Sequence, residues 1–323
     1  MSYAFHLPAL AIIAAIVLDL LLGDPPWLPS PARLIGRVVV GGVTERRIRE
    51  AAPDRAHGAV VAIGLVATSG LSAFALIALA ASISEFAAAA AAVFIGWYTL
   101  SFRDLDTAAR RVQRHLATGE IDAARAGMPA LVGRDANSLT RDEMIRAAAE
   151  SVAENASSRV IAPIFYLLLG GPVLAIAYKA VNTLESAIGD PNPQRATCGV
   201  VTHRINEIAN FIPARVTAFC IAAAASTMLL RGRAALAACL DEAYQHEVGN
   251  SAWPIAAMAG ALGLRLGGGA VYDGATDERA SFGRDVVPPA IETIAAAREV
   301  MRSTVFIAFC TLALTRYILL LVV

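Results

Sequence analysis

Lysine is almost missing from this 323-residue chain: Lys179 stands alone among 27 basic residues. Charge as a whole is scarce, 17% against the about 25% usual in a soluble domain, and it sums to zero. Such a chain has no basic surface and no like-charge tail, so nucleic acid is not an expected partner. Aromatics are also few, at 7%. The four cysteines, Cys198, Cys220, Cys239 and Cys310, are scattered without a C-x-x-C pair, which argues against a zinc site or a disulfide framework. The histidines show no H-E-x-x-H spacing, and G-x-x-x-x-G-K-[ST] is absent. Glycine runs at Gly170 and Gly267 lack the strand-to-helix setting of a dinucleotide fold. The N-terminal apolar run has neither a basic flank nor a small-residue cleavage site, and Asp24-Pro25-Pro26 follows it. It reads as a retained membrane helix.

What the chain has instead is apolar mass. Hydrophobic residues make up 57%, and the mean hydropathy is +0.57. A bilayer span needs about 20 mostly apolar residues. Leu7–Gly23, Gly58–Ser84, Phe86–Phe102, Ile208–Leu230 and Thr304–Val323 approach that, the second and third as a helical hairpin. A sixth stretch, Val160–Tyr178, is interrupted by Pro163 and by Gly170-Gly171-Pro172. Broken backbone at membrane depth survives only against protein or a wet cavity, so this stretch reads as a broken or re-entrant helix. The expected fold is all-α: a polytopic integral membrane protein, one membrane domain over 1–323, with a polar helical insertion at 103–159.

Arginine sets the expected orientation. Arg33, Arg37, Arg46, Arg47, Arg49 and Arg55 follow the first span, and the positive-inside rule puts that loop in the cytoplasm. The hairpin then returns the polar insertion to the cytoplasmic side. A re-entrant Val160–Tyr178 keeps the polar clusters flanking it on one face. Within the insertion, Thr140-Arg141-Asp142-Glu143 predicts a capping box. Glu143, Glu150 and Glu154 then share a helix face, with Arg146 one turn before Glu150. Gly232–Asn250 reads as a further polar helix and Gly267–Pro289 as loop.

Ionisable groups beside lipid are costly and mark sites by default. Glu150 and Glu154, one turn apart with Asn155 adjacent, suit Mg²⁺, which takes oxygen ligands and one or two carboxylates plus substrate phosphates. Lys179, just past the apolar break, suits phosphate as a point charge. Asn182 and Glu185 share its helix face, and His203–Asn210 adds Arg204, Glu207 and Asn210 at the head of another apolar segment. Gly133-Arg134-Asp135 before the capping box can present amides and a guanidinium to phosphate, although a plain turn reads the same. By spacing alone these residues equally suit an interhelical salt-bridge network.

The order of motifs resembles one family. D-L-L-L-G-D-P-P-W-L-P-S-P-A-R-L-I-G-R (Asp19–Arg37), V-G-R-D (Val132–Asp135), E-S-V-A-E-N (Glu150–Asn155) and V-I-A-P-I-F-Y (Val160–Tyr166) are similar to the cobalamin-biosynthesis membrane proteins of the adenosylcobinamide-phosphate synthase family. So are A-Y-K-A-V-N-T-L-E-S (Ala177–Ser186), I-A-N-F-I-P-A-R-V-T-A (Ile208–Ala218) and the run from Asn250 to Gly268. The resemblance implies a multi-pass protein of the cytoplasmic (inner) membrane. Its reaction would be ATP- and Mg²⁺-dependent amide ligation of adenosylcobyric acid, a corrinoid, to aminopropanol phosphate. Glu150 and Glu154 would hold the metal, and Lys179 and Arg134 would stabilise phosphoryl charge beside Asp135, Asn155, Asn182 and Asn210. Glu185 or Glu207 would take the amine proton, and Arg204 or Arg215 would hold the amino-alcohol phosphate. Partners beyond substrates and lipid would be a second copy or other proteins of the cobalamin pathway.

The chain departs from the family pattern at several points. Ser158-Arg159 replaces an Asp-Gly pair, Glu185 an aspartate, and Asp190 an aromatic. Asn206-Glu207 replaces a pair of aspartates and Ile255 a glutamate. Lost acids at Ser158, Asn206 and Ile255 change the available metal ligands and proton acceptors. Two readings compete with the ligase. A transporter component would use the interrupted helix, and a non-catalytic paralogue serving as a membrane scaffold or sensor would leave Glu150, Lys179 and Glu185 dispensable.

Overall fold

Alanine-rich, weakly charged segments satisfy their backbone most cheaply as helices, which close every hydrogen bond within the segment. The computed structural model describes residues 9–25, 27–28, 55–132, 136, 139–188, 196–245, 249–268, 270–272, 275–277 and 280–322. Its helices are α1 (Ala9–Leu22), α2 (Arg55–Ile83), α3 (Glu85–Thr99), α4 (Phe102–Ala117), α5 (Ile121–Gly127) and α6 (Arg141–Ala156). A π-helical turn, Ser157–Ile161, follows, then α7 (Ala162–Ile188), α8 (Ala196–Thr227), α9 (Gly232–Asp241), α10 (Ala252–Leu262) and α11 (Ile291–Val322). The short strands are β1 (Leu266–Gly267), β2 (Ala270–Tyr272), β3 (Ala275–Asp277) and β4 (Ser281–Phe282), paired antiparallel as β1–β4 and β2–β3. The arginine-rich loop after Trp27 lies outside the described residues, apart from the backbone of Arg55.

Among the described residues five helical runs are long and apolar enough to cross a bilayer: Ala62–Ile83, Glu85–Ala117, Arg141–Ser186, Val200–Thr227 and Ile291–Leu319. The protein is an all-α, multi-pass membrane protein. Within the described residues the first apolar run forms the 14-residue α1. Helix α8 begins at Ala196 rather than Ile208, and α11 runs unbroken from Ile291 through the last apolar stretch. Helix geometry is a backbone property and carries on through polar residues that hydropathy excludes.

The described chain divides into two compact units. The first comprises Met1–Ser101, Ala162–Asn210 and Leu312–Val323, and the second Phe102–Ile161 and Phe211–Thr311. In the first, α1, α2, α3 and α7 bury Ile12, Ala15, Ala62, Ile77, Ala88, Ala92 and Ala180 against one another. Leu10, Leu20, Leu71, Leu79 and Phe86 stay exposed, as lipid-facing side chains should.

Helix α7 is broken at the expected glycines. Gly171 has φ 69° and ψ −164°, a backbone region that is essentially glycine-only. Tyr166 and Tyr178 lie either side of the break with their rings stacked, centroids 4.9 Å apart. A straight helix would separate residues 166 and 178 by roughly 18 Å, so the chain turns back sharply at Gly170-Gly171 and its two arms face each other. The turn is pinned to α8: Tyr166 Oη donates to the Ala209 carbonyl at 2.8 Å, and Tyr178 Oη to Asn210 Oδ1 at 2.9 Å. The two arms of α7 therefore pack against each other instead of continuing as one straight helix.

In the second unit α4 buries Leu105, Ala109, Val112 and Leu116, a 3.6-residue stripe beneath a charged face. The predicted capping box on α6 is present, with Glu143 N donating to Thr140 Oγ1 at 3.3 Å and Thr140 N to Glu143 Oε2 at 2.7 Å. Alanines 147–149 of α6 are fully buried. The Gly232–Asn250 segment is not a polar helix throughout. Helix α9 stops at Asp241 and buries Ala235, Ala238 and Cys239 beside α10. Buried Arg298 of α11 forks onto Asp106 of α4 at 2.9 and 3.0 Å, and Arg302 reaches the same carboxylate at 2.9 Å. Removing one partner of such a buried pair costs about 3–5 kcal/mol, because the other charge is stranded.

Replacing Gly171 by alanine is expected to destabilise the protein by about 1–3 kcal/mol, since a Cβ is strained at this φ/ψ. Gly64→Ala is the control: a Cβ there meets open space within α2, and helix propensity favours it by about 0.5–1 kcal/mol. Thermal unfolding in detergent should show a lowered midpoint for the first variant and none for the second.

Candidate functional site

The residues singled out by sequence fall into two groups, one in each unit. Lys179 in the first unit is buried, only 5% exposed, and its Nζ donates to Ser101 Oγ at 3.2 Å. It lies on the returning arm of α7, directly after Tyr178. Asn182 and Glu185 follow on the same arm, half-buried, and Glu185 Oε1 stands 3.6 Å from His203 Nδ1 of α8. Further along α8, Arg204 is exposed and Glu207 half-buried. Asn206 and Asn210 are buried, with Asn210 Nδ2 donating to Asn206 Oδ1 at 2.8 Å and to its carbonyl at 3.0 Å. Asn210 therefore accepts from Tyr178 and donates to Asn206, a polar chain threaded through packed helices. Hydrogen bonds of this kind average about 0.6 kcal/mol in membrane proteins, so their value is in fixing geometry more than in stability.

The second unit holds the acids. Glu150 is half-buried and accepts from Gly267 N at 3.1 Å, whereas Glu154, one turn on, is exposed. Asn155 is buried and its Nδ2 donates to Ser151 Oγ at 2.8 Å, while Ser151 Oγ donates to the Leu131 carbonyl. Its amide group thus braces the inner side of α6. Arg146 is engaged by Asp285, at 2.6 and 3.1 Å, and by the Arg265 carbonyl at 2.7 Å. Arg215 of α8 lies with its guanidinium carbon 3.5 Å from the Phe211 ring centroid and 4.5 Å from that of Trp253. One of its nitrogens donates to Asn250 Oδ1 at 2.9 Å. Arg134, Asp135 and Asp190 lie outside the described residues.

Mg²⁺ can be tested against the donor set. Among the described residues no three of His, Cys, Asp or Glu cluster as an all-protein cage. The exposed carboxylate of Glu154, a turn beyond Glu150, nonetheless fits an ion that draws its remaining ligands from water and substrate phosphates. Cysteine offers nothing comparable. Burial pushes the Cys239 thiol up to about 11, leaving it protonated and inert.

Of the substituted family positions, Ile255 has the clearest structural setting. It is 3% exposed on α10, a helix buried on every side, where an apolar side chain packs without a partner. Sequence spacing gave no warning of Tyr166, Tyr178, Asp106, Arg298 or Asp285. Each acts through a contact with a residue distant in the chain.

Buried ionisable and amide groups inside an apolar helical framework define a multi-pass membrane protein with internal polar sites. The chain belongs to the CobD/Cbib protein family, which matches residues 12–301. It is 37% identical to "Cobalamin biosynthesis protein CobD" of Listeria monocytogenes serotype 4b (strain F2365), over 93% of this chain and 96% of that one. It is also 37% identical to "Cobalamin biosynthesis protein CobD" of Geobacter metallireducens, over 87% and 85%. "Cobalamin biosynthesis protein CbiB" of Salmonella typhimurium matches at 37%, over 82% and 84%. No solved structure matches the chain.

The hydrogen bonds of Arg146 hold the Asp285 carboxyl below the usual carboxylate range, helped by the Arg265 N–H. A depressed folded-state value means that the contact stabilises fully above the unfolded carboxylate value of about 3.9, and that its contribution is lost as pH falls through the folded value. The pair is partly exposed, so the effect is that of a surface ion pair, about 0.2–1 kcal/mol. Unfolding midpoints from pH 7 down to pH 3 should fall more for the wild type than for Asp285→Asn.

Proposed function

We propose that this protein acts in cobalamin biosynthesis as an ATP-dependent amide ligase of the cytoplasmic membrane, joining adenosylcobyric acid to aminopropanol phosphate. The product is adenosylcobinamide phosphate. Family membership across residues 12–301 is the observation that carries this reading. The burial of the chain's single lysine on the returning arm of α7 supports it chemically. An amino group fixed in place within apolar helices suits a reaction that gathers negative phosphoryl charge.

A carboxylate is a poor acyl donor. Its oxygen first takes the γ-phosphoryl group of ATP, releasing ADP, and the amine nitrogen then attacks the activated carbonyl and expels phosphate. Lys179 stabilises charge on the transferring group. Glu154, one turn beyond Glu150 on α6, is the residue that would hold Mg²⁺, whose contribution when bound would be to neutralise phosphate oxygens. Glu185 or Glu207 accepts the proton released by the attacking amine. Arg204 or Arg215 holds the phosphate of the small amine, and the stacked guanidinium of Arg215 is already fixed in one orientation. The Lys179 group and the acid group belong to different units, and their use in one reaction rests on the family reading.

Purified protein given adenosylcobyric acid, aminopropanol phosphate and Mg-ATP should form a product with the mass of the amide. Lys179→Ala and Glu154→Gln should each lower turnover by about 10²–10³-fold, the usual loss for removing one charge-stabilising group. Full turnover in both variants would remove the assigned roles.

A further inference from the structure

Two side chains of α6 run along one edge of the glycine hairpin at matching pitch. Arg146 and Glu150 are one helical turn apart, about 6 Å along the axis. They reach Arg265 and Gly267, two strand residues apart, which is about 6.6 Å. Arg146 Nη1 donates to the Arg265 carbonyl at 2.7 Å, and Gly267 N donates to Glu150 Oε2 at 3.1 Å. Other acids complete the grip. Asp285 Oδ1 accepts from Arg265 N at 2.8 Å, and Glu242 Oε2 accepts from Gly283 N at 2.6 Å. Leu266 and Phe282, paired across β1 and β4, are buried beneath. The hairpin base is therefore clamped on its backbone by three carboxylates from three different parts of the second unit.

The clamped strand cannot easily give way. Gly267 has φ 79°, and a Cβ there would meet the Ala280 carbonyl at 2.4 Å, so the strand is held where only glycine fits. The next residue, Gly268, has open space where a Cβ would stand. Glu154 continues the face of Arg146 and Glu150 by one more turn and is exposed.

From this arrangement we infer that the two acids of the E-S-V-A-E-N motif divide their labour. Glu150 is a positioning residue whose carboxylate holds the glycine hairpin against α6, and Glu154 is the acid that faces the metal. The inference rests on the ligase reading for the role of Glu154, and on geometry alone for that of Glu150.

The test uses the full-length protein in detergent and two measurements. Amide hydrogen exchange is followed on peptides covering residues 264–268, and the Mg²⁺ concentration giving half-maximal ATP-dependent turnover is determined for each variant. Glu150→Ala should speed exchange there about tenfold, as expected for one lost hydrogen bond to a charged acceptor. Glu150→Gln keeps an acceptor oxygen, so it should retain most of the protection and shift the Mg²⁺ requirement less than about twofold. Glu154→Gln should leave exchange unchanged and raise the Mg²⁺ requirement about tenfold or more. The proposal is overturned if Glu150→Gln raises that requirement as much as Glu154→Gln does, or if Glu150→Ala leaves exchange unaltered. Absence of ATP-dependent turnover in the wild type would instead reject the ligase reading, while the exchange measurement still decides the role of Glu150.

Discussion

The polar contacts between α7 and α8 in the first unit depend on one reversal of the backbone. A helix entering an apolar environment has no reason to stop, because its hydrogen bonds are all internal. Two consecutive glycines, one in a conformation closed to other residues, turn α7 back on itself. The stacked rings of Tyr166 and Tyr178 hold its arms together, and their hydroxyls tie both arms to successive residues of α8. Without that turn Lys179, next in sequence after Tyr178, would lie on the far reach of a long straight helix. With it, the ammonium is buried beside Ser101, on the same short arm as Asn182 and Glu185.

The second unit answers a different problem. It carries most of the chain's charge and must still form a packed interior, and it does so by burying alanine and pairing its ions. Small side chains on α6, α9 and α10 leave little volume to fill, so its core is fixed more by close helix approach than by large hydrophobic residues. Its ions are paired across long stretches of sequence. Asp106 takes two arginines of α11, and Asp285 takes Arg146 of α6. Each of these contacts brings a loop or a helix end to a fixed place, which a functional group near it requires.

The family substitutions are easier to understand in this light. Glu185 retains a carboxylate with longer reach and meets His203. Asn206 is buried and accepts from Asn210, a role an amide fills without bringing a second charge into the interior. Ile255 sits where a lone acid would have to be desolvated on a fully buried helix. At Asn206 and Ile255 the residue present costs less to bury than a carboxylate would.

Composition and local patterning were enough to expect an all-α membrane protein, the capping box at Thr140 and the interruption at Gly170-Gly171, and a series of ordered motifs pointed to the family. Each of these is local: hydropathy needs a window of residues, a cap needs four, and a motif needs contiguous letters. The helix start at Ala196 escaped that reading because a helix continues through polar residues when its backbone is satisfied. The partners of Arg146, Glu150, Asp106 and Tyr178 escaped it for another reason. They lie tens to hundreds of residues away, and nothing in the local spacing encodes which distant oxygen or amide a side chain will meet. Arg146 and Glu150 show the difference plainly. Their spacing, one turn apart, is that of an i, i+4 ion pair, whereas the folded chain sets both against the hairpin, because its backbone groups lie at the same pitch as the helix face.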